Sequence, residues 1–424
     1  MPFGQEAPAG AVIVVGAGVV GLACARHLQK AGFGVTLVDR DPPASGTSSG
    51  NAGSISSGAV VPIALPGMAR QVPGWLLDSN GPLAVRWSYL PRALPWLLRW
   101  LRAGMAGPAR RSSAAMVSLS TTAVEEWHDL LSPAIAQRFL CHNGQLWLTR
   151  KTEWSAGDRF GMELRRAAGV AFELLGPEEI RKLEPAVSAA FQRAIYVPGS
   201  AHTVDPQAMG EALYEEFRAA GGAFLAREIT GIRRSADGRA EALLTREDTI
   251  PVDRLVIAAG AFSRSLALAL GDRIPLETER GYHCMIPDPG VSLSRPVSDM
   301  DRKFFATSME GGMRLAGTVE IAGLEAPPDM QRARMLWRQG RDLLPDLRSD
   351  GEPKLWMGYR PSIPDSLPVI GQAPHAANTH YAFGHGHLGL TQAAITGRII
   401  AALVAGRPAP VDISPFRADR FGLL

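Results

Sequence analysis

Residues 11 to 15, Ala-Val-Ile-Val-Val, form an unbroken apolar run rich in β-branched side chains. Such a run is expected of a central parallel strand covered on both faces. Glycines follow at once, then a helical pattern through about Ala31, a turn at Gly32 and a second strand pattern from Val35 to Asp39. Together these predict a complete βαβ unit. Residues 255–261 read as another buried strand, ending in small residues, and a long apolar helix is predicted from the glycine-rich stretch at 384–391 to about Ala405. Shorter strand patterns at 145–149, 282–286 and 313–317, with turn signals such as Asp288-Pro289-Gly290 between them, predict an antiparallel sheet separate from the parallel one.

The chain of 424 residues exceeds what one hydrophobic core usually supports, so two connected domains are expected. With 46% hydrophobic and 20% charged residues the class is globular, and a net charge of +3 is too mild for a nucleic-acid partner. Cys24, Cys141 and Cys284 are too scattered for a disulfide framework or a zinc site, which fits a reducing compartment. The N-terminal apolar run is unlike a signal peptide. No continuous run of about 18 apolar residues predicts a bilayer span. The expected location is cytoplasmic, either free or on the cytosolic face of the inner membrane. Residues 79–124 suggest the second option, because they hold six arginines, no Asp or Glu, and Trp87, Trp96 and Trp100 at roughly helical spacing. That composition suits a membrane interface, but also tryptophans packed against the substrate domain beneath solvated arginines, which the interruption of any single long amphipathic helix by Pro91 and Pro95 favours.

Between the first strand and its helix stands Gly16-Ala17-Gly18-Val19-Val20-Gly21. Gly16 permits the tight turn, Gly18 removes the side chain that would block a pyrophosphate, and Gly21 lets helix and strand pack closely. The helix N-terminus supplies free N–H groups and a favourable dipole to the same anion. Asp39, at the end of the second strand, is placed to accept hydrogen bonds from a ribose and disfavours a 2′-phosphate; Arg40 follows it. The unit predicts a dinucleotide and leaves NAD and FAD both open.

Beyond Asp39 lies a loop of small residues, Ser45-Gly46-Thr47-Ser48-Ser49-Gly50-Asn51-Ala52-Gly53, able to lie flat against a ligand. Here the chain resembles the FAD-dependent amine oxidoreductase family that includes D-amino acid oxidase, glycine and sarcosine oxidases and bacterial D-amino acid dehydrogenase. The resemblance covers nearly the whole chain. It implies an α/β fold in which a discontinuous, Rossmann-like FAD-binding domain (1–75, 203–275 and 355–424) is interleaved with an antiparallel-sheet substrate domain (76–202 and 276–354). It further implies that Ser48, Asn51, Ala52 and Gly53 run along the pyrophosphate to the isoalloxazine, that Ile229 meets the adenine, and that Ala259 and Gly260 make a second dinucleotide contact. Gly386, His387, Leu388, Gly389, Leu390 and Thr391 would open a second glycine-rich helix N-terminus against the flavin, where N–H groups and the dipole stabilise negative charge on the reduced ring.

The activity implied is oxidation of a D-amino acid, including cyclic ones such as D-proline or hydroxy-D-proline, by hydride transfer from Cα to the flavin, with a quinone or other non-oxygen acceptor. Competing readings are a glycine/sarcosine or D-amino acid oxidase using O2, and a non-catalytic dinucleotide-binding scaffold. Trp356-Met357-Gly358-Tyr359-Arg360-Pro361 resembles the family segment whose arginine holds the substrate carboxylate, a task suited to a planar guanidinium fork. Tyr282 is expected to hydrogen-bond the same carboxylate, and His202, His385 and His387 to orient or deprotonate the substrate ammonium. Arg280, Thr318 and Glu320 are weaker candidates.

Overall fold

The protein is described from a computed structural model covering residues 10–78, 81–349 and 351–422. The ends of the expected FAD-binding segments (1–9, 423 and 424) and residues 79 and 80 of the arginine-rich stretch lie outside the described residues.

The apolar run at the start does become the centre of a sheet. Ala11–Val15 pairs in parallel with Gly34–Asp39 on one side and Arg254–Ile257 on the other. Ala223–Ala226 extends the sheet beyond the second strand, and Ala376–Phe383 followed by antiparallel Val369–Ala373 completes six strands on the other edge. The strands come from three stretches of sequence far apart in the chain. The helix Val19–Lys30 follows the first strand and packs against the C-terminal helix Gly389–Val404. Gly397 permits that approach, since a Cβ there would lie 2.5 Å from the Ala23 carbonyl oxygen. By length and composition the segment Gly386–Val404 is able to cross a membrane. In the fold, Leu390 to Thr396 are all buried in the main core, which accounts for the apolar run.

A second sheet of nine strands is ordered Lys354–Ser362, Glu277–Ile286, Gly312–Ile321, Phe304–Met309, Val297–Asp299, Gln145–Thr149, Arg193–Val197 and Glu173–Leu175, with Leu83–Val85 paired to Gly312–Ile321. The expected antiparallel sheet is present, with two parallel pairings added: Val297–Asp299 with Gln145–Thr149, and Leu83–Val85 with Gly312–Ile321. Side chains alternate across a strand with period two. Along Glu277–Ile286, the side chains of Tyr282, Cys284 and Ile286 therefore pack with Ala333, Leu336 and Leu343 of the helix Gln331–Leu343. The opposite face carries Glu279, Gly281 and His283 and turns toward the six-stranded sheet.

The arginine-rich stretch forms two helices, Leu90–Ala103, with Pro91 in its first turn and Pro95 accommodated inside it, and Ala106–Ser120. Trp96 and Trp100 are buried, with the Trp96 indole N–H donating to the Ser362 carbonyl at 3.3 Å. The outer face instead shows Trp87, Leu94, Leu98, Leu101 and Met105, accompanied by exposed Arg92, Arg99 and Arg102. Two of the three tryptophans expected at a membrane interface thus belong to the core, and leucines take the outward positions.

Candidate active site

The glycines of the first turn each meet a steric demand. Gly16 has φ +107°, in the left-handed region, and a Cβ on it would sit 2.6 Å from the Ala258 carbonyl carbon. A Cβ on Gly21 would overlap the Gly16 carbonyl oxygen. Gly18 at the N-cap has no side chain of its own to close the helix end, so the N-terminal dipole faces the space ahead. Val19 N–H donates to Ser48 Oγ at 3.0 Å, which draws the small-residue loop across the turn. Asp39 accepts the Ala17 N–H at 2.7 Å with one oxygen and the Asp41 N–H at 3.1 Å with the other. Its carboxylate therefore braces the turn, and the remaining lone pairs serve a ligand.

Gly16, Ala17, Gly18, Val19, Val20, Asp39, Arg40, Ser48, Asn51, Ala52, Ile229, Ala259 and Gly260 all line one cavity of about 840 Å³. Gly386, His387, Leu388, Gly389, Leu390 and Thr391 line it too, as do His385 and Arg360. Of the positions expected to touch the cofactor, Gly21 and Gly53 act from behind this lining. Gly21 sets the helix-to-strand distance, and Gly53, with φ +78°, accepts the Thr203 N–H and donates its own N–H to Asn51 Oδ1 at 2.9 Å. Arg40 stacks 4.2 Å over Phe262 at the end of the cavity that Asp39 and Ile229 share.

The loop from Ser48 to Ala52 is held by the larger sheet. Arg314, 8% exposed, donates from Nη1 to the carbonyls of Ser49 and Asn51 at 2.8 and 2.6 Å, and Thr307 donates to the Ala52 carbonyl at 2.9 Å. Burial lowers the Arg314 pKa to about 10, so the guanidinium stays charged at neutral pH. A Cβ on Gly50 would overlap the Trp356 ring, which itself stacks on His283 at 4.8 Å. Sequence reasoning missed Arg314, Thr307 and His283. Their only signal is membership of the cavity-facing parity of strands whose register becomes visible once they pair.

Arg360 projects from Lys354–Ser362 onto Gly281 of the neighbouring strand, and Nη1 reaches the Thr318 carbonyl of the next strand at 3.1 Å. Burial lowers its pKa while Glu279, directly opposite across the strand pair, opposes the shift. His387 is pushed down to about 4, chiefly by burial and further by Arg360, and its accessible surface opens on the cavity. His385 is lowered to about 3 by burial and shares a 3.0 Å hydrogen bond with Thr396 Oγ1. Both imidazoles are neutral at pH 7 beside a fixed positive charge.

Two candidates do not join this group. Tyr282 lies on the opposite parity, 1% exposed, with its hydroxyl donating to Glu320 at 2.5 Å and accepting the Asp329 N–H at 3.1 Å. The strand's period of two turns it away from Arg360 and toward the core, so its assignment to the substrate carboxylate is withdrawn. His202 sits on the strand Ala201–Thr203, between Ser54 and Cys141, and does not line the cavity. Its proximity to the small-residue loop is sequential pairing of backbone, with the ring buried and its pKa lowered to about 4 by burial. The weaker candidates Arg280 and Glu320 face the core with Tyr282, 3.5 Å from each other.

Residues 11–403 match the protein family described as FAD dependent oxidoreductase (DAO). The chain belongs to this family. Among curated relatives of the oxidoreductase, a D-amino-acid oxidase of Bradyrhizobium diazoefficiens is 38% identical over 99% of this chain and 100% of that protein. A D-amino acid dehydrogenase of the same organism is 32% identical over 97% of this chain and 98% of its own length. Among solved structures, L-proline dehydrogenase from P. horikoshii superposes with a TM-score of 0.71 at 18% identity, covering 98% of both chains, a likeness of fold.

FAD is the cofactor of the family, and the cavity of this oxidoreductase fits it. A dinucleotide needs an uncapped helix N-terminus for its pyrophosphate and a flavin needs a second for its pyrimidine side. Both are present, at Gly18 and at Leu388; neither N-cap residue caps its helix with its own side chain, although Ser48 takes the Val19 N–H at the first. Ser54 and Ser56 line the same cavity, with hydroxyl oxygens that are buried and have no protein partner.

Proposed function

We propose that the protein catalyses FAD-dependent oxidative deamination of D-amino acids, with Arg360 holding the substrate α-carboxylate. The observation that carries this reading is the Arg360 guanidinium laid flat over Gly281 and facing the cavity beside His387. The two full-length relatives whose names specify D-amino acids support the substrate class. When bound, FAD supplies the acceptor for the hydride leaving Cα. The chain's own residues do the rest: Arg360 orients the carboxylate, neutral His387 and His385 border the reacting end, and the Trp356 ring walls it off from water. A neutral imidazole there tolerates an ammonium and is able to take its proton.

The acceptor we propose is a quinone at a membrane surface. The exposed apolar residues Trp87, Leu94, Leu98, Leu101 and Met105, fringed by Arg92, Arg99 and Arg102, support it, since such a face suits an anionic bilayer. The relative named an oxidase makes O2 the competing acceptor. Anaerobic titration of the holoenzyme with D- and L-alanine, D-proline, hydroxy-D-proline, glycine and sarcosine tests both points through flavin bleaching. Bleaching by D-amino acids with fast recolouring by a quinone analogue and slow recolouring in air is the expected result. Bleaching by L-alanine or glycine alone overturns the substrate class, and instant recolouring in air overturns the acceptor.

A further inference from the structure

One end of the cavity is not accounted for by the cofactor or by Arg360. A single row of residues runs across the larger sheet in register: Trp356, His283, Ala316, Phe305, Ser298 and Trp147. Trp356 stands at the flavin end, and Phe305, Ser298 and Trp147 line the cavity three to five strands farther along. Above Trp147 the helix Ala156–Ala167 presents Gly157, Asp158, Gly161 and Arg165 to the same space.

Arg165 is 8% exposed, and its guanidinium lies 4.0 Å over the Trp147 ring. Its Nε is buried without a hydrogen-bond partner, and among the described residues no carboxylate forms an ion pair with it. Asp158, the nearest acidic influence, is engaged in the helix's own capping box with Ser155. A buried cation left unpaired costs several kcal/mol, so it is normally retained where a ligand completes it. Burial lowers its pKa only to about 9, and it remains a cation at neutral pH.

We propose that Arg165 binds a second anionic group on the substrate, so that the preferred substrates are amino acids whose side chain ends in a carboxylate. The proposal rests on the reading of Arg360 as the α-carboxylate site. The Arg360 guanidinium reaches over to the strand Gly312–Ile321, and Trp147 stands three strands beyond it. At the usual strand spacing the sideways separation alone is about 14 Å, which favours side chains of glutamate length or longer over aspartate. The phosphates of the cofactor are not candidates for Arg165, because their cradle at Gly16 to Gly18 belongs to the other sheet.

The test uses the holoenzyme and two readouts. Perturbation of the flavin absorbance by glutarate and by pentanoate, equal in chain length and differing in one carboxylate, gives dissociation constants without turnover. Anaerobic bleaching by D-glutamate, D-2-aminoadipate, D-aspartate and D-alanine gives the substrate preference. Glutarate should bind about tenfold or more tighter than pentanoate. Arg165→Met should abolish that difference while leaving pentanoate binding and D-alanine oxidation unchanged, and Arg165→Lys should restore part of it. Equal affinities in the wild-type protein, or equal weakening of both ligands in Arg165→Met, overturn the proposal. Selective glutarate binding without bleaching by any D-amino acid would keep the anionic site and refute the oxidation reading. Bleaching by D-alanine without glutarate preference would do the reverse.

Discussion

Gly281→Ala isolates the placement of Arg360 from its presence. Gly281 occupies an ordinary strand conformation, so an alanine there brings no backbone strain. The added Cβ would lie 2.5 Å from Arg360 Nε and nearer still to Cζ and Nη2. Comfortable non-bonded separations begin at about 3.5 Å, so the guanidinium must lift by about 1 Å and lose its bond to the Thr318 carbonyl. A bidentate hold on a carboxylate does not survive such a shift intact, and displacements of that size near the chemistry cost up to ~10²-fold. Removing the charged partner altogether, as in Arg360→Ala, costs roughly 2–4 kcal/mol of substrate affinity. The expected result for Gly281→Ala is a KM for D-alanine raised between about tenfold and ~10²-fold, with FAD content and melting temperature close to wild type. Steady-state kinetics with an artificial acceptor, alongside the visible flavin spectrum, measure both. An unchanged KM in a protein that retains its flavin would mean that Arg360 does not hold the carboxylate from this position.

Gly21→Ala should yield protein without FAD, because the new Cβ overlaps the Gly16 carbonyl oxygen and that neighbour is backbone, unable to swing aside; full flavin occupancy on purification would refute it. Arg314→Met removes two hydrogen bonds to the Ser49 and Asn51 carbonyls and leaves those carbonyls unpaired under Trp356, so FAD should dissociate at least about tenfold more readily, read by fluorescence of released flavin. Stability should fall as pH drops from about 6.5 toward 4. His27, His202, His283, His380 and His385 all have folded pKa values lowered by burial, to about 3 or 4. Above pH 6.5 they are neutral in both states and cost nothing; below it the unfolded chain takes up protons that the folded chain refuses, at roughly 3 kcal/mol per histidine by pH 4. Denaturation midpoints that stay level between pH 7 and 5 would show that these rings relax to accept protons.

The parts legible in sequence were those whose constraint is local. The turn Gly16 to Gly21 requires glycine for reasons confined to a few residues of backbone, and the apolar runs on either side announce a doubly covered strand. The C-terminal helix was legible for the same reason, since its glycine-rich start and continuous apolar face are contiguous. Tyr282 shows where such reading stops. Every residue of Glu277–Ile286 is buried, so burial alone cannot tell the two faces apart, and neither can an apolar pattern. Only the register with Gly312–Ile321 and Lys354–Ser362, including the shift after Gly281, decides which side chains meet the cavity. Arg165 was silent for a similar reason. A basic residue in the last turn of a short helix is ordinarily a solvated end that complements the helix dipole.

The two sheets depend on each other at the cavity in a way that bears on how the enzyme assembles. The loop from Ser48 to Gly53 leaves the six-stranded sheet, yet its carbonyls are satisfied by Arg314 and Thr307 of the larger sheet and its flat face is closed by Trp356. Arg360 belongs by hydrogen bonding to the larger sheet, while the helix N-terminus it stands beside belongs to the smaller. Neither sheet therefore presents a finished surface to the flavin or to the substrate on its own. On the proposed reading, a carboxylate bound at Arg360 would bridge the two. The same geometry ties specificity to the larger sheet alone, since Trp147 and Phe305 lie on it and Arg165 on the helix above it. Changes along that row should alter which side chain is accepted without disturbing the cofactor cradle on the other sheet.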